Sequence, residues 1–149
     1  MGKKVIFIFC GYYDQNNDLL ELVDRYDLKE NVVFAGMLNR YNELPLYYSD
    51  ADVVVSIPSS DSSPLSVYEA MACMTPVVVS TLPWLYHNFS DCMPINVYYN
   101  DDKSLADKIC NLLNNPALSK TEEIYKIVNK KINLSHEGKK LMALYTKIL

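Results

Sequence analysis

Four short apolar runs, separated by stretches of different periodicity, constrain this chain more than anything else in it. Val5-Ile6-Phe7-Ile8-Phe9 is continuously apolar, the pattern of a strand buried on both faces. Val32-Val33-Phe34, Val53-Val54-Val55 and Val77-Val78-Val79 repeat it. After a polar loop from Gly11 to Asn17, Leu19, Leu20, Leu22, Val23 and Tyr26 recur at helical spacing. Leu44, Leu46, Tyr47 and Tyr48 predict a short helix, which tolerates Pro45 only in its first turn. Leu65 to Met74 predict another helix, and Ile95 to Tyr98 a weaker fifth strand. Asp101 or Asp102 is placed to cap a helix carrying Leu105, Ile109, Leu112 and Leu113. Two further helical segments lie around Ile124 to Ile132 and after Ser135. Strands alternating with helices predict an α/β fold, a Rossmann-like parallel sheet covered by helices on both faces.

Length and charge narrow the class. The 149 residues suit one domain with one core, and half of them are apolar. The net charge of −4 gives no basic face for nucleic acid. Cys10, Cys73, Cys92 and Cys110 form no CxxC pair, and Cys10 and Cys73 sit in or beside apolar runs, as small hydrophobes do. Met1 to Lys4 lead into only a short apolar segment, which is no secretory signal. No run approaches the ~20 apolar residues of a membrane span. The chain reads as soluble, reduced and cytoplasmic.

In parallel sheets ligands bind at the carboxyl ends of strands, often at helix N-termini. That directs attention to Ser56 to Ser63, after the third strand. Asp61 and Glu69 flank the start of the following helix, eight residues apart. Amides at Leu65 and Ser66 would be unpaired there and suit a diphosphate, and a carboxylate alongside suits paired sugar hydroxyls. A plainer account stands beside this one. Ser66-Val67-Tyr68-Glu69 also fits a capping box, with Ser66 bonding the Glu69 amide. On spacing alone the cap is the simpler reading.

Other chemistry finds little support. His87 and His136 are the only histidines, too few and too far apart for a metal site or a triad, and each reads as a surface or helix-end residue. No G-x-S-x-G elbow surrounds the serines. The four glycines, at 2, 11, 36 and 138, supply neither a dinucleotide fingerprint nor a P-loop. Trp84, beside Pro83 and Leu85, reads as packing. The lysine pairs at 130–131 and 139–140 read as solvated helix faces rather than a lipid-binding patch.

"PSSDSSPLSVYEAMACMTPVVVS" resembles the acid-x7-acid motif of retaining glycosyltransferases of family 4, in which a Pro-Ser pair precedes the first acid. Glu69-Ala70-Met71-Ala72 and Pro76-Val77-Val78 match the family's usual continuation. "NVVFAGMLNRYNELPLYYSDADVVV", "DDKSLADKICNLLNNP" and "INLSHEGKKLMALYTKIL" are similar to its flanking segments, so the likeness covers nearly the whole chain. It implies the donor-binding, carboxy-terminal half of a two-domain GT-B architecture, taking a UDP-, GDP- or ADP-sugar without cofactor or bound metal. By that resemblance Asp61 faces the donor hexose and Glu69 holds the ribose hydroxyls. Backbone near Ser63, Pro64, Leu65 and Ser66 meets the diphosphate or sugar, and Gly36, Met37 and Leu38 hold the base. The acceptor would be a glycan, polysaccharide or lipid, with peripheral association at the inner face of the membrane left open.

The pattern is not followed everywhere. Asp61 stands where Glu is usual, and Ser62 and Ser63 where Gly and an aromatic are common. Met74 stands where Gly normally follows the helix, and an αL conformation would strain it. Thr81-Leu82-Pro83-Trp84-Leu85 replaces a Gly-rich turn. The family's first strand of this domain, its Arg and Lys clamp and its acceptor domain are not found, and Lys3 and Lys4 do not substitute for the clamp. The expectation is therefore one piece of a longer polypeptide, inactive in transfer by itself. A non-catalytic module that kept the fold, and more remotely half of a sugar-nucleotide epimerase, are the alternatives.

Overall fold

A computed structural model describes residues 5–12 and 18–148. Lys3 and Lys4, and most of the loop expected from Gly11 to Asn17, lie outside them. The chain divides into two compact units, Met1–Leu44 and Pro45–Leu149.

In the first unit, β1 (Phe7–Cys10) pairs in parallel with β2 (Val32–Gly36), Phe7 opposite Val32 and Phe9 opposite Phe34, with an irregularity between Phe9 and Cys10. The Phe9 and Phe34 rings stack at 5.5 Å. The crossover helix α1 (Asp18–Arg25) buries only Val23. All four residues of β1 are exposed, including Cys10, which the sequence suggested would behave as a buried hydrophobe. The apolar run makes the strand, but α1 contributes one buried side chain with which to cover it.

The second unit holds α2 (Leu44–Asp50), β3 (Val54–Ser56), α3 (Leu65–Ala72), β4 (Val77–Ser80), α4 (Pro83–Phe89), β5 (Ile95–Val97), α5 (Asp102–Asn114), α6 (Thr121–Lys131) and α7 (Leu134–Ile148). Its sheet is parallel, in the order β3-β4-β5, with Val55 opposite Val78 and Val79 opposite Asn96. The central strand is buried at every position. Val77 and Val79 pack on one face with Val67 and Met71 of α3, Leu85 and Phe89 of α4, and Ile124 and Val128 of α6. Val78 packs on the other face with Val97 and Leu112 of α5. Each such valine stabilises the fold by about 1.5–3 kcal/mol. This is the sheet covered on both faces that the valine runs predict.

Local chemistry sets the helix ends. The Asp101 carboxylate accepts the Ser104 amide at 3.1 Å and caps α5, as expected. Acidic Glu122 and Glu123 open α6 and basic Lys130 and Lys131 close it, matching the helix dipole. Helix α4 was not expected. Its signal was Pro83 at the first helical position, where a fixed φ and a missing N–H cost nothing. At the end of α3 the Thr75 amide donates to Ala70 O and the Met74 amide to Met71 O, both at 3.1 Å. These are the two bonds of a Schellman turn, which requires a left-handed residue between them. Met74 occupies that place at φ 57°.

Candidate functional site

The junction between β3 and α3 lies at the carboxyl edge of the second unit's sheet. The loop is pinned to β4 because the buried Ser80 hydroxyl donates to Pro58 O at 2.6 Å. Asp61 then bends back on its own loop, its Oδ1 accepting the Ser63 amide at 2.9 Å. Asp61 is half-buried, and its Oδ2 has no hydrogen-bond partner among the described residues.

Pro64 is buried and serves as N-cap, with φ −73° and no side-chain cap bond at this helix end. Its carbonyl accepts the amides of Val67 and Tyr68, both at 3.1 Å. The helix therefore opens at Leu65, which puts Ser66 at its second position rather than at the cap. The capping-box account is corrected by this: a fixed proline φ has already started the helix two residues before Ser66 is needed. Leu65 and Ser66 keep first-turn amides that no intrahelical carbonyl reaches. Pro64, having no N–H, adds none.

Helix α3 is two-sided. Val67, Tyr68, Ala70 and Met71 are buried, whereas Leu65 and Ser66 are exposed and Glu69 is half-buried. Glu69 lies four residues after Leu65 on the open side, and side chains lean toward the N-terminus. Its carboxylate is thereby directed at the turn that carries the unpaired amides. Asp61, Ser63, Pro64, Leu65, Ser66 and Glu69 are brought together at one loop-to-helix junction. Gly36, Met37 and Leu38 belong to the other unit, at the carboxyl end of β2, where Gly36 has φ 70° and Met37 is exposed.

Sequence reasoning passed over Tyr68. It is buried beneath the junction, its hydroxyl accepting a bond from Asn88 Nδ2 at 3.2 Å. Its ring meets Trp84 edge-on at 5.7 Å. Burial pushes its pKa above the usual tyrosine value, the Asn88 bond opposes this, and the charge of Asp61 adds to the rise. The loop acid is thus within electrostatic reach of the α3 core face. The available signal was position: one residue before Glu69, on the buried side of the helix. Trp84 is buried as expected, and its indole N–H has no acceptor among the described residues.

A recess of about 290 Å³ opens at the opposite, amino end of these strands, lined among others by Asp52, Met74, Thr75 and Pro76. It contains neither acid of the junction. Among the described residues no helix is long and apolar enough to cross a membrane.

The fold and the junction together define a class. The chain superposes on Anabaena Alr3699/HepE in complex with UDP-glucose with a TM-score of 0.82, at 16% identity, over 96% of this chain and 41% of that one. It superposes on sucrose-phosphate synthase from Thermosynechococcus elongatus with a TM-score of 0.78, at 27% identity, over 95% and 38%. Its parallel strands alternating with helices are those of part of a GT-B glycosyltransferase. The family described as Glycosyl transferases group 1 matches residues 1–131, and the chain belongs to that family.

Two curated relatives agree. The alpha-monoglucosyldiacylglycerol synthase of Streptococcus pneumoniae is 29% identical over 127 residues, 83% of this chain. The O-antigen chain mannosyltransferase RfbU of Salmonella typhimurium is 32% identical over 107 residues, 72% of this chain. The chain spans 29% and 30% of the length of these two proteins.

Proposed function

We propose that this chain forms the donor side of a retaining glycosyltransferase that moves a hexose from a nucleoside-diphosphate sugar to a glycan, polysaccharide or lipid. One observation carries the reading: Asp61 stands in the loop that leads into α3 and Glu69 in the helix's second turn, both half-buried, on either side of a helix start whose first amides no intrahelical carbonyl reaches. In this reading Glu69 accepts the two ribose hydroxyls. The amides of Leu65 and Ser66 receive the diphosphate, helped by the positive end of the helix dipole. Asp61 faces the hexose through Oδ2, while its bond to the Ser63 amide holds the carboxylate in place.

The names of the relatives support this substrate class. One is named for glucosylation of a diacylglycerol, the other for mannosyl transfer to an O-antigen chain, and HepE binds UDP-glucose. Glucose and mannose are both hexoses, and a diacylglycerol and an O-antigen chain are a lipid and a glycan, which supports the reading. Four free thiols fit a reducing compartment, and we place the reaction in the cytoplasm.

Ligand-observed NMR with UDP, GDP, ADP and their common sugar conjugates tests the reading, since it detects binding down to millimolar affinity, about 4 kcal/mol. Selective binding of one nucleotide, weakened by about 1.5–3 kcal/mol in Glu69→Ala, is the expected result. Binding unchanged in Glu69→Ala would remove the ribose role from that carboxylate.

A further inference from the structure

The two acids of the junction are held by different parts of the fold. Glu69 belongs to α3, whose buried residues Val67, Tyr68, Ala70 and Met71 pack in the core with Val77 and Val79 of β4. Its backbone is as fixed as that core. Asp61 has no such support. It stands in the irregular loop between β3 and α3, with Ser59, Ser60, Ser62 and Ser63 exposed around it. An aspartate carries its carboxylate on a single methylene, so the backbone beneath it decides where that group sits.

A path of bonds runs from β4 to that carboxylate. The Ser80 hydroxyl donates to Pro58 O at 2.6 Å, across 22 positions of sequence. Ser80 ends a strand of valines and is only 1% exposed, so water has no access to take the hydroxyl's place. A hydroxyl so buried costs free energy unless it is bonded, and a fourth valine would avoid that cost. The bond it makes is to the loop of the acid. Three residues on, Asp61 Oδ1 accepts the Ser63 amide at 2.9 Å, which locks the carboxylate to its own loop. Pro64, with φ −73°, closes the loop against α3. A shift of the loop at Pro58 would therefore carry the Asp61 carboxylate with it and leave the helix, with Glu69, in place.

We propose that Ser80 is a positioning residue for the sugar: its bond to Pro58 O sets where Asp61 meets the hexose. The nucleotide, held by Glu69 and the first amides of α3, is indifferent to that bond. The proposal rests on the roles given to Asp61 and Glu69 above, and it separates hexose recognition from nucleotide recognition within one site.

NMR titrations of the full chain with UDP and UDP-glucose, GDP and GDP-mannose, and ADP and ADP-glucose give, for the pair that binds, the ratio of the two affinities. Wild type should bind the sugar conjugate more tightly than the bare diphosphate, and Asp61→Ala should remove that advantage. Ser80→Ala should shrink it by roughly two- to tenfold, the worth of one hydrogen bond, with the bare diphosphate bound as before. In the double variant Ser80→Ala, Asp61→Ala the ratio should fall no further than in Asp61→Ala, because both changes act on one contact. Ser80→Cys, close in volume but a weak donor, should fall between wild type and Ser80→Ala. It decides the question if Ser80→Ala lacks the native emission of buried Trp84. A serine with only a structural role would weaken diphosphate and conjugate together, or neither, and either result overturns the proposal. So does a further fall in the double variant, or a wild type that gains nothing from the hexose. In each of those cases wild type still binds the nucleotide, and the donor-site reading stands. A chain that binds none of these ligands overturns that reading as well.

Discussion

Two strands of four residues, β1 and β4, carry nearly the same sequence message and meet opposite fates. Phe7-Ile8-Phe9-Cys10 is exposed at every position and Val77-Val78-Val79-Ser80 is buried at every position. An uninterrupted apolar run specifies an extended segment with two apolar faces. Cover has to come from other elements. Strand β4 has α3, α4 and α6 on one side and α5 on the other, each with an apolar stripe of matching length. Strand β1 has β2 on one edge and an α1 that buries only Val23. A two-stranded sheet with so little cover is marginal by itself. Stability in this chain therefore resides in Pro45–Leu149.

A matched pair of valines offers the sharpest way to break that comparison. Val78 is 0% exposed and Val33, in β2, is 48% exposed. Val78→Ala should cost about 2–3 kcal/mol from lost burial plus a residual cavity, and Val33→Ala less than about 1 kcal/mol. Urea titrations followed by the emission of Trp84, the chain's single tryptophan, and by far-UV circular dichroism separate the units. The Trp84 midpoint should move only for Val78→Ala. Equal costs would show that the β1–β2 sheet is as well covered in solution as β4.

The helix on the Val78 face permits a finer test. Asp101→Ala removes the bond to the Ser104 amide and should cost about 1 kcal/mol. The loss should appear in the Trp84 transition if α5 and β4 unfold together. A loss confined to circular dichroism would mean that α5 frays alone and covers β4 less firmly than the packing indicates. In the other direction, Met74→Gly should stabilise the same unit by up to about 1 kcal/mol, because glycine takes φ 57° without strain. A destabilised Met74→Gly would show that the Met74 side chain contributes more than its strained backbone costs.

The same contrast explains which features could be read from sequence. Short apolar runs marked all five strands, and residue type narrowed the α5 cap to Asp101 or Asp102, of which the backbone uses Asp101. Helix α4 escaped because Thr81-Leu82-Pro83-Trp84-Leu85 departs from the resembled pattern, and the departure drew more notice than Pro83 as a helix start. For the site, spacing placed Asp61 and Glu69 on either side of a helix start. Whether Ser66 capped that helix depended on one proline carbonyl, a backbone detail that no pattern of residue types specifies. Tyr68 escaped for a different reason: apart from its hydroxyl it is one more apolar residue of a buried face, and that hydroxyl's partner is Asn88, twenty residues on. Exposure in β1 was equally unreadable, since it records what fails to pack rather than what the strand contains.

The smallest expected effect concerns Tyr68, where burial in the second unit has a titratable consequence. Burial, then the charge of Asp61, raise its pKa above the ordinary value near 10, with the Asn88 bond pulling the other way. The fold thus favours the neutral phenol. Below the unfolded pKa both states hold the proton and the group adds no pH dependence. As pH climbs past 10 the unfolded chain ionises first, and the native state loses stability until the folded group ionises too. Tyr68→Phe keeps the ring against Trp84 and Phe89 but gives up the Asn88 bond, at about 0.5–1.5 kcal/mol near neutrality. Its deficit relative to wild type should therefore narrow above pH 10 in urea titrations run across that range. A constant deficit would mean that Tyr68 ionises as freely in the fold as outside it, and that the face beneath Asp61 admits water. The β4 side of the comparison would then be less tightly closed than its valines suggest.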